Sequence, residues 1–190
     1  MIQYRRITKN SVKQVQSVAL RSWKFTYRNI YSTKTIGRRV SNYYSDQSFK
    51  EYVLPRIRKG IDWFYVALEG KRVIGYSHIT QGRMGWELLR IYLLPEYIGK
   101  GIGKKLLSLG ESFLRRKKVS RYIVSAHAKN RLAIEFYLRN GFARVKGKDK
   151  AGEIYFEKNL LQSGISGMGK PTTSVSPQPA TRSVSRQLGL

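Results

Sequence analysis

Residues 86–107 read WELLRIYLLPEYIGKGIGKKLL, and the fold turns on them. The first ten form an apolar run rich in branched and aromatic side chains, a strand that Pro95 ends. From residue 102 to 116, Leu106, Leu107, Gly110, Phe113 and Leu114 recur on one face at helical spacing. Between strand and helix, Gly99, Gly101 and Gly103 alternate. Glycine lets a backbone turn tightly and come close to a ligand. The first turn of a helix leaves amides unpaired at the positive end of the helix dipole. Together these features make an anion cradle suited to a phosphate or pyrophosphate. Lys100, Lys104 and Lys105 add charge beside it.

Two well-known cradles do not fit the spacing. A P-loop needs GxxxxGK[ST], and Lys105 stands where Ser or Thr belongs. The dinucleotide pattern GxGxxG fails at Lys104, and the stretch where its acidic ribose partner belongs is filled by RRKKVSR (115–121). A plain helix-capping turn would also account for the glycines. Outward from this junction, RYIVSAHA (121–128) is a strand and NRLAIEFYLRN (130–140) a short helix with Gly141 just past its end. FARVKG and EIYFEKNL predict a closing antiparallel pair. Upstream, DWFYVALEG (62–70) and RVIGYSHIT (72–80) form a hairpin about a Gly-Lys turn. Residues 1–8 predict a first strand. Asn10 or Ser11 caps a helix whose Val12, Val15, Ala19 and Trp23 share a face. Residues 23–50, rich in Tyr and Arg, predict a second, less regular helical region. The order strand, helices, three strands, helix, strand, helix, strand pair gives an α/β or α+β sheet of about seven strands.

The chain has 190 residues, enough for one domain, and no cysteine. That excludes disulfides, thiolate zinc sites and cysteine nucleophiles, and no metal ligand set is expected. MIQYRRITKN has no apolar segment after its positive charges, and no apolar run reaches about 18 residues. A cytoplasmic location without membrane insertion is the expectation. Lys and Arg number 37 against 11 Asp and Glu, a formal charge of +26. All the acidic residues and most of the basic ones lie in residues 1–161, read as the folded domain. Residues 162–190 are rich in Ser, Pro, Gly and Thr, and predict a disordered basic tail. A field of this sign attracts polyanions and repels polycations.

The stretch ELLRIYLLPEYIGKGIGKKLL resembles the central strand, loop and helix of the GNAT acetyltransferase superfamily. Its coenzyme A loop, Q/R-x-x-G-x-G/A, falls on Ile98 through Gly103, with Ile98 departing from the leading Gln or Arg. NRLAIEFYLRNGF resembles the second signature, N-x-x-A-x-x-x-Y-x-x-x-G-F, through Asn130, Ala133, Tyr137, Gly141 and Phe142. The resemblance covers residues 1–160. It implies the GNAT fold, a mixed and mostly antiparallel seven-stranded sheet flanked by helices, with a splayed central strand pair. It also implies an N-acetyltransferase that uses acetyl-CoA.

Site residues follow from the same resemblance. Tyr92, Leu93 and Leu94 would pair with the pantetheine arm of coenzyme A. The backbone of Lys100, Gly101, Ile102, Gly103, Lys104 and Lys105 would hold the pyrophosphate. Asn130 would hold the cofactor arm or cap its helix. Tyr137 stands where a phenol can give a proton to the leaving thiolate, or it is a core tyrosine. Glu87 is the candidate base for the amine, or a solvated strand glutamate, and His127 ranks below it. Trp23, Tyr27 and Tyr31 recur every four residues, as helix packing or as the wall of an acceptor pocket.

SWKFTYRNIYS (22–32) resembles the branches that acetylate polyamines and protein N-termini. The charge argues against a free polyamine, so a protein N-terminus, a lysine or a small amine is the expected acceptor. The rival reading is a basic nucleic-acid-binding protein on the same scaffold, from the net charge, RRKKVSR and the interleaved Tyr and Arg of residues 23–50. Monomer and homodimer are both compatible with the sequence.

Overall fold

The computed structural model describes residues 1–82, 85–149 and 152–161, so the tail expected over 162–190 lies outside them. The strands are β1 (Ile2–Arg6), β2 (Asp62–Glu69), β3 (Arg72–Gly82), β4 (Gly85–Leu93), β5 (Arg121–His127), β6 (Ala143–Arg144) and β7 (Glu153–Asn159). They form one sheet in the order β1-β2-β3-β4-β5-β7-β6. Each neighbouring pair is antiparallel except β4 and β5, which run parallel.

The parallel pair is the irregular place. Glu87 lies opposite Ile123, and the ladder registers no further partner along β4. On the other side of β4, His78 faces Arg90 but Ile79 faces Leu88, so Leu89 is an extra residue. A bulge bends the strand that carries it. Beyond Glu87, β4 therefore turns away from β5 and the sheet opens in a V, the splay expected of the central pair.

Two layers of helix bury the sheet. α1 (Val12–Tyr27), α2 (Thr33–Tyr43), α3 (Asp46–Ser48) and α4 (Leu54–Arg58) lie on one face, and α5 (Ile102–Arg116) and α6 (Arg131–Arg139) on the other. α1 buries Val12, Val15, Val18, Ala19, Trp23 and Tyr27. The less regular region is more helical than expected and runs past residue 50. Ser32 caps α2 by accepting from the Thr35 amide at 3.2 Å. A π-helical turn, Phe49–Val53, joins α3 to α4 just before Pro55. Proline lacks an amide and its ring presses on the carbonyl four residues back, and the wider turn relieves both.

In β5 and β7 the alternation sets what is covered. Tyr122, Val124, Ala126, Ile154 and Phe156 are buried in the core shared with α5 and α6. Their neighbours Ile123, Ser125, His127, Glu153 and Tyr155 point to the opposite face and are only half-buried. That partly open face, beside the V, is where the site lies. Among the described residues no helix is long and apolar enough to cross a membrane.

Candidate active site

The loop behaves as its glycines require. Gly99 and Gly101 have φ of +83° and +78°, a left-handed conformation that side chains resist, and Gly101 is the N-cap of α5. Lys105 donates its amide to the Gly101 carbonyl at 3.0 Å and closes the first turn. The amides of Gly101 through Lys104 are thus the ones left without an intrahelical acceptor. Lys105 contributes its exposed side chain, with those of Lys100 and Lys104. Lys100 Nζ lies 5.1 Å from the centre of the Tyr97 ring. Gly103 is needed for packing: a Cβ there would meet Phe136 of α6 at 3.3 Å.

Just past β4, the Leu94 amide donates to the Ile74 carbonyl at 2.8 Å. Its backbone faces β3 and its side chain is buried. By antiparallel alternation Tyr92 also turns its backbone to β3, while Leu93 and Ile91 turn theirs to the V. The Leu93 carbonyl accepts from Ser22 Oγ of α1 at 2.6 Å. Of the three residues expected to pair with a cofactor arm, Leu93 has its backbone on the open side. Ile91 shares that side and was not singled out by the sequence.

The side chains converge below. Burial raises the Glu87 carboxyl above the ordinary carboxylate range. Burial raises Glu153 as well, against the opposing influence of His127, Ser125 and Arg39. Burial raises the Tyr137 phenol, and the charges of Tyr27, Glu153 and Glu87 add to it. Tyr155 is raised by burial and by the same two carboxylates. Glu87, Glu153, Tyr137 and Tyr155, drawn from β4, β7 and α6, are thus near enough for the two carboxylates to act on both phenols.

The remaining candidates divide. Asn130 caps α6, accepting from the Ala133 amide at 3.1 Å, and its side chain also interacts with the Tyr27 hydroxyl. Trp23 is in the core, with ring centres 4.8 Å from Tyr27, 6.2 Å from Tyr43 and 6.4 Å from Tyr92. Tyr31 lies beyond the end of α1, because the amides of Ile30 and Tyr31 both turn back onto the Tyr27 carbonyl. It still continues the row, 5.7 Å from Tyr27, and meets the His127 ring edge-on at 5.8 Å. The Arg39 guanidinium covers Tyr31 at 4.5 Å. Tyr31 and Arg39 thus wall the cleft from the α1–α2 side. His127 Nδ1 accepts from the Lys129 amide at 3.1 Å, so that ring nitrogen is engaged by the backbone. Among the described residues no cluster of His, Cys, Asp and Glu could hold a metal ion.

Glu153, Tyr155, Ser125 and Arg39 are not among the residues that the sequence singles out. A signal exists for the first two: in EIYFE, Ile154 and Phe156 form one apolar face and leave Glu153 and Tyr155 on the other. Which face borders a cleft depends on the pairing of β7 with β5.

The acetyltransferase (GNAT) family profile matches residues 26–142. The chain is 31% identical over 163 residues to spermidine N(1)-acetyltransferase of Thermoplasma acidophilum, covering 85% of this chain and 99% of that protein. Its fold is similar to the crystal structure of the PaiA N-acetyltransferase of Thermoplasma acidophilum in complex with coenzyme A. The TM-score is 0.79 at 28% identity, over 84% of this chain and 99% of that one. A GNAT acetyltransferase of Staphylococcus aureus shares the fold at a TM-score of 0.67 and 17% identity, over 84% of this chain and 99% of that one.

Proposed function

The chain belongs to the acetyltransferase (GNAT) family, and from that premise we propose that it moves the acetyl group of acetyl-CoA to a primary amine of a small cationic acceptor. The spermidine in the name of its Thermoplasma relative is the type of acceptor meant.

The residues present fit the cofactor. The outward amides of Gly101 to Lys104, flanked by three lysines, suit a pyrophosphate. The backbone of Ile91 and the Leu93 amide offer an edge to an extended amide-bearing arm, while the Leu93 carbonyl also holds Ser22 Oγ. When bound, acetyl-CoA supplies an acetyl group activated as a thioester.

The chain's own groups do the rest. An amine arrives as an ammonium ion and reacts only after losing a proton. Glu87 takes that proton, directly or through one water. A carboxylate raised toward the working pH is better matched to this task than an ordinary one. Tyr137 keeps its proton through neutral pH because burial and nearby carboxylates disfavour the phenolate. Its O–H is thus available as the acid for the departing sulfur.

Two carboxylates in one half-buried cleft carry the choice of acceptor. The net charge of +26 repels a polycation at long range. Within a Debye length, about 8 Å at physiological salt, local groups dominate instead. Glu87 and Glu153 are then the groups that a polyamine meets. Arg39 weakens Glu153 but lies over Tyr31, at the wall of the cleft. The charge of the whole molecule favours a second acceptor, an acidic protein N-terminus.

Steady-state acetylation of spermidine, of a mono-amine of similar length and of acidic N-terminal peptides separates the two. Spermidine is expected to show the highest kcat/KM. Glu153→Gln should raise its KM about tenfold or more, since a hydrogen bond to a charged group contributes about 1.5–3 kcal/mol. The mono-amine KM should stay put. Preference for the peptides would overturn the polyamine reading and leave the transferase reading standing.

A further inference from the structure

The end of the sheet opposite the glycine loop carries a second surface, made of residues not assigned to acetyl transfer, with Glu87 opposite Ile123 two residues from its edge at Arg121. Two helices finish there, α4 at Arg58 and α5 at Arg116. The turns that follow them touch, because a Cβ on Gly60 would lie 3.5 Å from Lys117 Nζ. β5 starts beside them at Arg121, and the last strand returns to the same place, the Leu160 amide donating to the Ser120 carbonyl at 2.7 Å. Six exposed cations gather at this pole: Arg58, Lys59, Arg116, Lys117, Lys118 and Arg121.

The carboxylates nearby are already engaged. Glu111 is buried and holds Lys158 at 2.6 Å, the Tyr122 hydroxyl at 2.7 Å and Arg115 at 3.6 Å. Glu157 lies 3.5 Å from Arg121. Asp62 is buried, 3.0 Å from Arg56 and 2.7 Å from the Thr80 hydroxyl. The two helix C-termini favour cations, but each is equivalent to about half a negative charge. Glu157 answers Arg121, and about one unit from the helix ends cannot balance the other five. Like charges this close repel across less than a Debye length, and the pole therefore has a standing affinity for a polyanion.

We propose that this pole binds the phosphate backbone of a nucleic acid. The inference is independent of the acceptor and of the transferase reading. The two turns themselves offer no apolar wedge, since Val119 packs on the core and Ile61 is half-buried; Leu161, next to Leu160, is exposed, and one such side chain is a weak membrane anchor beside this many cations. α5 has 15 residues, so at about 1.5 Å each the pole lies roughly 20 Å from the glycine loop. Nucleic acid held there leaves the loop free.

Anisotropy titration of the full chain with fluorescent mixed-sequence duplex DNA and RNA, across a salt series, tests the proposal. Flotation with phosphatidylserine-containing vesicles runs in parallel. Binding should weaken steeply with salt. The variant R58Q/K59Q/R116Q/K117Q should lose more than tenfold in affinity at low salt. For duplex DNA its log–log salt slope should shrink by between three and four, at about 0.9 per phosphate contact. A control variant, K24Q/K34Q/K146Q/K148Q, removes the same charge from exposed sites elsewhere and should lose much less. The thermal midpoints of both variants should match the parent. Equal losses in the two variants would overturn the proposal, as would vesicle binding without nucleic-acid binding.

Discussion

The glycine loop and the cleft below it are built in opposite ways. The loop is a product of backbone: neighbouring residues, two left-handed glycines and a helix end. Everything it needs lies within seven positions, 99–105. The cleft is a product of side chains from β4, β7 and α6, far apart in the chain and joined only by strand pairing. A site made of backbone is set by local spacing and tolerates many side chains. A site made of side chains is set by tertiary register and tolerates few.

Substitutions should reproduce that contrast. The largest effect is expected at Glu87. Removing a general base costs about 100- to 10,000-fold, so Glu87→Gln should lower kcat by that order with little change in the acetyl-CoA KM. Its pH profile adds a check. The folded carboxyl is raised, so it must lose its proton to act, and activity should climb with pH through a value above the ordinary carboxylate range. Glu87→Gln should flatten that limb. The same shift has a sign for stability. Below the ordinary range both folded and unfolded forms are protonated. As pH rises toward the raised value the unfolded chain releases its proton first, so Glu87 lowers stability at higher pH.

Next comes Tyr137. Tyr137→Phe keeps the ring among Phe136, Phe142 and Phe156 and removes only the hydroxyl. A drop of about 100-fold in kcat, at the low end for acid catalysis, is expected from steady-state rates. An unchanged kcat would return this residue to the core. The smallest effect belongs to the loop. Gly101→Ala forces a side chain into the left-handed region at about 1–2 kcal/mol. The acetyl-CoA KM should rise roughly tenfold while kcat stays within about twofold. If the loss appeared only in the thermal midpoint, the glycines would be a helix cap and the distinction between the two regions would fail on the cofactor side.

The same distinction explains what could be read from the sequence. β4, the loop, α5 and α6 were legible because each is fixed by spacing within one stretch, and Asn130 through Phe142 fell in register with a signature. Glu87 and Tyr137 were legible as candidates, but EIYFE shows only that Glu153 and Tyr155 share a face, not what that face borders. That depends on Ser125 facing Tyr155 and His127 facing Glu153 across two strands. Local chemistry was also misjudged where it meets tertiary demands. Lys105 and Leu94 look like backbone ligands by position, yet their amides serve the α5 first turn and β3. The turn that ends α1 before Tyr31 and the π-helical turn before Pro55 were not foreseen either, since each answers to packing as well as composition.

The V between β4 and β5 is, in another light, an unpaired strand edge kept inside the molecule. Exposed edges of this kind invite pairing with a second chain. Here Ser22 of α1 stands on the Leu93 carbonyl, and Tyr27 of the same helix lies close to Asn130 at the start of α6. The protein therefore guards its own gap with two helices, where a surface strand would use a charge or a proline. An extended ligand that completes the ladder would act as an extra strand, and the protein's resistance to self-association would then rise with occupancy of the gap.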